Sequence, residues 1–160
     1  VRKLTFVILV TLGLCRVAPA RTAPRFRADL IDGQTISLTD YLKPKRLLLL
    51  SFWASWCTPC LEELKMLSAG LKTADLPLDV LTVNVDTSET RSDVKPAIAM
   101  NHLIFPVILD PKHEIFSAYR ADKSLPYSVV IDGSGTIVET FNGYSESMIS
   151  QLRAIKSNDG

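Results

Sequence analysis

Cysteine, histidine and an excess of either charge are all scarce in this chain. It holds 3 cysteines and 2 histidines among 160 residues. Three cysteines are too few to staple a disulfide scaffold. Two histidines with no recognisable ligand spacing are a poor start for a zinc site. Lysine and arginine number 18 against 17 aspartates and glutamates, a formal net charge of +1, so there is no electrostatic case for nucleic acid. With 7 Gly and 9 Pro, the chain is neither collagen-like nor low-complexity, and it carries no internal repeat and no glycine-rich phosphate loop. What is left is an ordinary globular composition, 47% hydrophobic and 22% charged, which also excludes a multi-span membrane protein. The length suits one domain with a real core.

The near-neutral charge conceals a split. Residues 1–20 contain Arg2, Lys3 and Arg16 and no acid; without them the remaining 140 residues carry a net of −2. Arg2 and Lys3 precede an apolar run of 11 residues, Leu4 to Leu14. As a helix that run would rise roughly 16 Å, about half a hydrocarbon core. It suits the middle of a signal peptide better than a stable span, and Ala18-Pro19-Ala20 supplies the small residues of a cleavage site. The leading valine resembles an alternative bacterial start codon translated literally. The expected division is a signal peptide over residues 1–20 and one domain over 21–160. An uncleaved anchor and a lipidated Cys15 are the alternatives, Leu14 being large for a lipoprotein box. Each alternative places the domain outside the cytoplasm, where disulfides persist.

Residues 21–27 are polar and read as a linker. Arg25–Ile31 and Gln34–Leu38 flank Asp32-Gly33, a hairpin signal. Arg46–Trp53 is apolar on both faces and suits a strand covered on both sides. A helix then places Leu61, Leu64, Leu67 and Leu71 on one stripe. Val80–Val85 reads as a second buried strand, 88–102 as a helix disturbed by Pro96, 105–109 as a strand and 113–119 as a short helix. Residues 128–131 and 136–141 form a hairpin about Asp132-Gly133-Ser134-Gly135, and a last helix starts near Ser145. Strands alternating with helices require right-handed crossovers and a parallel pair, and the late hairpin adds antiparallel strands. The expected fold is α/β, a mixed central sheet with helices on both faces and an N-terminal β-hairpin.

Cys57-Thr58-Pro59-Cys60 falls between a buried strand and a helix. The spacing puts both sulfurs within one helical turn, where free N–H groups and the helix dipole favour a thiolate. Pro59 fits there because the first turn has N–H groups to spare. The first thiol, normally the more exposed, would attack and the second would resolve, which makes Cys57 the nucleophile. A purely structural bridge would gain little from so short a loop. Zinc would need two ligands besides these cysteines, and only His102 and His113 remain, which lack a recognisable ligand spacing and read as surface residues. Trp53 reads as core, and Asp86 as a loop cap at a strand end rather than a catalyst.

In this context FWASWCTPC resembles the thioredoxin superfamily, and within it the TlpA/ResA-like exported thiol–disulfide oxidoreductases. VNVD at 83–86, FPVILD at 105–110, Leu125-Pro126 and VIDGSGTIV at 130–138 follow in that family's order. The resemblance implies a thioredoxin-like fold and a cis peptide bond before Pro126, leaving the Leu125 backbone free to pair with a substrate. It implies a docking surface that includes Trp56, Thr58 and Pro59. Glu63 matches an acidic residue that would move a proton for the buried thiol. Three departures stand out. Ser51 replaces the buried Asp of thioredoxin itself, Lys65 replaces a helix-kinking Pro, and Thr58 gives the loop no cation, whereas strong oxidants carry His next to the second Cys.

The resulting expectation is an exported reductase of protein disulfides, in the bacterial periplasm or on the outer face of the membrane, needing no cofactor or metal. Its partners would be disulfide-containing exported proteins and a membrane electron donor, with cytochrome c maturation as one outlet. A monomer is expected, with no nucleic-acid partner. The rivals are a disulfide-forming oxidase and a metal-binding carrier. A peroxidase is disfavoured because the isolated cysteine of its P-x-x-x-T-x-x-C loop is absent.

Overall fold

The computed structural model describes residues 21–120 and 124–157, with side chains through Ile155. The expectations for the leader, Cys15 and the cleavage site lie outside the described residues.

The short strand β1 (Arg21–Thr22) is followed by the hairpin β2 (Arg27–Asp29) and β3 (Thr35–Ser37), then a single 3-10 turn at Leu38–Asp40. Next come β4 (Leu47–Trp53), α1 (Thr58–Ala74) and β5 (Leu78–Asn84). A 3-10 turn at Arg91–Asp93 leads into α2 (Val94–Met100), then β6 (Val107–Leu109) and α3 (Glu114–Tyr119). The chain closes with β7 (Tyr127–Ile131), β8 (Thr136–Asn142) and α4 (Met148–Ser157). The main sheet runs β1-β8-β7-β4-β5-β6, and β2 and β3 form a second sheet of two strands. Strands β4, β5 and β6 are parallel, whereas β7 is antiparallel to β4, β8 to β7 and β1 to β8.

The centre of the sheet follows from the apolar run in β4, whose seven residues are all buried. Alternation along the strand assigns the layers. Ser51 reaches Glu63 on α1, so α1 covers one face. Phe52, the next residue, meets Phe116 and Tyr119 of α3 at ring distances of 5.1 and 5.6 Å, so α3 covers the other. Helix α4 lies beside α1: a Cβ at Gly70 would stand 2.6 Å from the Ile149 side chain. The expected mixed sheet with helices on both faces and an N-terminal hairpin is therefore present.

Several boundaries differ from the sequence expectation. The stretch read as a linker contains β1, which lies along the first residues of β8 (Arg21↔Ile137, Thr22↔Thr136). Two residues are too short to carry a periodic signal. The helix expected over 88–102 is reduced to the turn and α2, with Pro96 in the first turn, where its missing N–H costs little. Strand β6 begins after Pro106, whose carbonyl already accepts from Thr82 N. The buried face of α1 is Cys60, Glu63, Leu64, Leu67, Ser68 and Ala74. Leu61 and Leu71, placed on the buried stripe by spacing alone, are only half-buried. That rotation turns Glu63 inward.

The two aspartate-glycine turns form as expected. Gly33 takes φ +90°, a conformation that strains other residues. Gly133 is required by a close approach: a Cβ there would meet the Lys43 carbonyl oxygen at 2.4 Å.

Candidate active site

The site lies where the parallel strands end. After Trp53 the chain leaves the sheet, and Asp86, just beyond β5, holds it. One carboxylate oxygen of Asp86 accepts from Ser55 N at 2.7 Å and from Asn84 Nδ2 at 2.7 Å, and the other accepts from Ser55 Oγ at 2.6 Å. Val85 N donates to Trp53 O at 2.9 Å. The cap expected of Asp86 is thus made to the loop that leads into the cysteines.

Cys57 is the N-cap of α1, and its carbonyl accepts from Cys60 N and Leu61 N. No acidic residue occupies the first turn, so nothing there opposes the helix dipole at a Cys57 thiolate. Cys57 and Cys60 form a disulfide, with an S–S distance of 2.01 Å and Cα atoms 5.3 Å apart. Cys57 is 5% exposed and Cys60 1%, so the first cysteine is the more accessible residue of the two. Around them Thr58 and Pro59 are exposed, and Trp56 is 64% exposed, an unusual state for tryptophan. Trp53 is buried in the core, as expected.

The Leu125–Pro126 bond is cis. Tyr127 pairs with Phe52, so Pro126, one residue earlier, sits at the end of the sheet where β4 enters the cysteine loop. Leu125 is half-buried and Pro126 buried. Arg120 lies over the Tyr127 ring, 4.4 Å from its centre, and donates to Ser124 and to Asn142, tying this loop to β8.

Glu63 is 1% exposed, one turn along α1 from Cys60. Its Oε1 accepts from Ser128 Oγ at 3.1 Å and Ser51 Oγ at 3.5 Å, and its Oε2 has no hydrogen-bond partner among the described residues. Burial pushes its carboxyl up to about 7 from an ordinary 4.5, partly opposed by the two hydroxyls. The alternative of a solvated glutamate on a helix face is overturned by this burial.

His102 is exposed, as expected, but His113 is not a surface residue. It is half-buried, and its Nε2 lies 2.7 Å from Val85 O. A carbonyl can only accept, so that nitrogen carries the hydrogen. No three His, Cys, Asp or Glu side chains cluster as metal ligands among the described residues. The sequence reading also missed Ser128. A serine within the buried strand YSVVI was the signal available for it.

Comparison with known proteins adds a second line of evidence. The sequence profile of the AhpC/TSA family matches residues 19–140, most of the chain. The chain belongs to the AhpC/TSA family. Among AhpC/TSA-like relatives, it is 30% identical over 135 residues to the thiol-disulfide oxidoreductase ResA of Bacillus subtilis, covering 83% of this chain and 73% of that protein. Its fold is thioredoxin-like. It resembles the crystal structure of StoA from Bacillus subtilis at 26% identity, with a TM-score of 0.65, covering 86% of this chain and 98% of that one. It also resembles a thiol-disulfide oxidoreductase from Bacteroides fragilis at 26% identity, with a TM-score of 0.70, covering 84% and 99%. This family member is a thiol–disulfide oxidoreductase of the ResA-like kind.

Proposed function

We propose that the chain works outside the cytoplasm as a reductase of protein disulfides. The observation that carries the chemistry is the Cys57–Cys60 pair at the start of α1 with a buried carboxyl one turn behind it. In the reduced enzyme the Cys57 thiolate attacks one sulfur of a substrate disulfide. A Cys57–substrate disulfide forms, and one substrate thiolate leaves and takes up a proton. Cys60 then gives its proton to ionised Glu63 and attacks the Cys57 sulfur. The second substrate thiolate leaves and is protonated. Two electrons have passed to the substrate, and the enzyme holds the Cys57–Cys60 disulfide seen here. An external dithiol restores it; a membrane protein that draws on cytoplasmic thiols would serve. No organic cofactor or metal enters the cycle.

The reducing direction is supported by the Thr58-Pro59 pair, which offers the thiolate no cation, whereas strong oxidants carry His next to the second Cys. Trp56, Thr58 and Pro59 form the docking surface, and the Leu125 backbone pairs with an extended substrate segment. The charged start and apolar run of residues 2–14 support export. Apo-cytochrome c is one substrate that this location would offer.

Two measurements test the reading. The reduction potential of the Cys57–Cys60 couple is expected near roughly −270 mV; a value near −120 mV would establish an oxidase instead. Expression of Cys60→Ser in a bacterium is expected to freeze mixed disulfides between Cys57 and exported proteins. Recovery of cytoplasmic partners alone would defeat the proposed location.

A further inference from the structure

The polar residues beneath the active site form a row across the sheet. Thr82 of β5 pairs with Ser51 of β4, Ser51 pairs with Ser128 of β7, and Ser128 pairs with Phe141 of β8. Directly paired residues project to the same face. Thr82 uses its hydroxyl on the Pro106 carbonyl, at 2.9 Å. The two serines in the middle of the row turn theirs onto one oxygen of Glu63. Ser51 and Ser128 are 1% and 0% exposed, so water does not compete for these bonds.

We propose that Ser51 and Ser128 act together as positioning residues that make the Glu63 carboxyl asymmetric, holding Oε1 as a fixed acceptor and leaving Oε2 as the oxygen that exchanges the proton. The inference rests on the reading of Glu63 as the proton acceptor for Cys60. With two O–H donors aimed at Oε1, a proton on that oxygen would meet two hydrogens. Among the described residues none donates to Oε2, which is the available seat. Both hydroxyls favour the ionised carboxylate, so they oppose burial and keep the group able to ionise near neutrality. A single buried Asp at position 51 would have placed a second negative charge beside Glu63; the serine pair supplies donors without charge.

The surroundings of Glu63 make the device readable. Cys60, one turn back on α1, titrates only when the disulfide is reduced. Strand β4 presents Ser51, β7 presents Ser128, β5 presents Thr82 and β8 presents Phe141, none of which is charged near neutral pH. The shift at Glu63 arises from burial and these two serines, without a contribution from any charged side chain.

The test compares Ser51→Ala, Ser128→Ala and the double variant with the parent. In the oxidised protein the cysteines do not titrate, and carbon-13 NMR of the Glu63 carboxyl reads its titration directly. The double variant is expected to titrate about one pH unit higher than the parent, with Ser128→Ala giving the larger single shift because its bond is shorter. In the reduced protein the pH–rate profile of the Cys60 step should move in the same direction. Ser128→Thr, which keeps the hydroxyl, should restore both. Matching thermal unfolding of the variants separates this from a loss of fold. An unshifted Glu63 titration in the double variant would overturn the serine proposal while leaving the role of Glu63 intact. An unchanged pH–rate profile in Glu63→Gln would overturn the role of Glu63, whatever the serines do to its titration.

Discussion

Replacing Glu63 by Gln should make the protein more stable in alkaline solution and should make little difference in acid. The reasoning is one of proton linkage. The folded protein holds the Glu63 proton up to about pH 7, whereas an ordinary glutamate releases it near 4.5. Between these values the native state binds more protons than the unfolded chain, so stability falls as pH rises. The contribution is in full force below pH 4.5, is withdrawn through the interval and is gone above pH 7. A difference of about 2.5 units at 1.36 kcal/mol each amounts to about 3 kcal/mol. Gln fills nearly the same volume, carries no titrating proton and is about as good a helix former. Urea unfolding of oxidised parent and variant at pH 4 and pH 9 measures the effect. The stability difference between them should shift by about 3 kcal/mol in favour of Gln over that range, with unchanged denaturant slopes. Other titrating groups, such as Asp110, which burial raises, are common to both proteins and cancel. A difference that stays constant to within about 0.5 kcal/mol would mean that the folded and unfolded states hold this proton alike, refuting the argument.

Further outcomes follow from the same geometry. Glu63→Gln should slow resolution by Cys60 about 10- to 100-fold and affect attack by Cys57 less, which single-turnover kinetics separates. Cys57→Ser should abolish exchange, while Cys60→Ser keeps one round of attack; in the reduced parent, Cys57 should be alkylated faster than Cys60 at neutral pH, and equal rates would count against the assignment. Asp86→Ala leaves Ser55 N without its acceptor and should destabilise the protein by roughly 2 kcal/mol while lowering the exchange rate, as chemical denaturation and an insulin reduction assay would show. Phe52→Ala empties the contact with Phe116, Tyr119 and Tyr127 and should lower stability by about 3–5 kcal/mol, read by thermal unfolding, with little change in the alkylation of Cys57.

The parts of this molecule that sequence revealed are those whose cause is local. Four leucines before Ser51 identify a strand covered on both faces, Asp32-Gly33 identifies a turn, and two cysteines three apart at a helix start identify the chemistry. The parts it concealed depend on partners distant along the chain. Glu63 and Ser128 are 65 positions apart, and their contact exists because β7 pairs with β4 in one register, which a single sequence does not encode in any short window. Asp86 was legible as a cap, but its client Ser55 lies 31 residues away. His113 was misplaced because a short polar segment looks exposed from its composition, whereas its left-handed backbone turns it toward Val85.

The N-terminal hairpin also covers one edge of the main sheet. Strand β6 ends the parallel half of the sheet, and a bare outer strand invites pairing with another chain. Here Ile31 N donates to Val107 O at 2.8 Å, and Leu30 bridges to Ile108, so the hairpin plugs that margin with its own backbone. At the opposite margin β1 shields only the beginning of β8, and the stretch from Val138 onward carries Glu139, whose carboxylate folds back onto Thr140 N at 2.8 Å. One border is closed by a neighbour and the other is blunted by a charge. The cysteine loop can therefore meet another chain while neither border of the sheet presents a long bare strand for it to pair with.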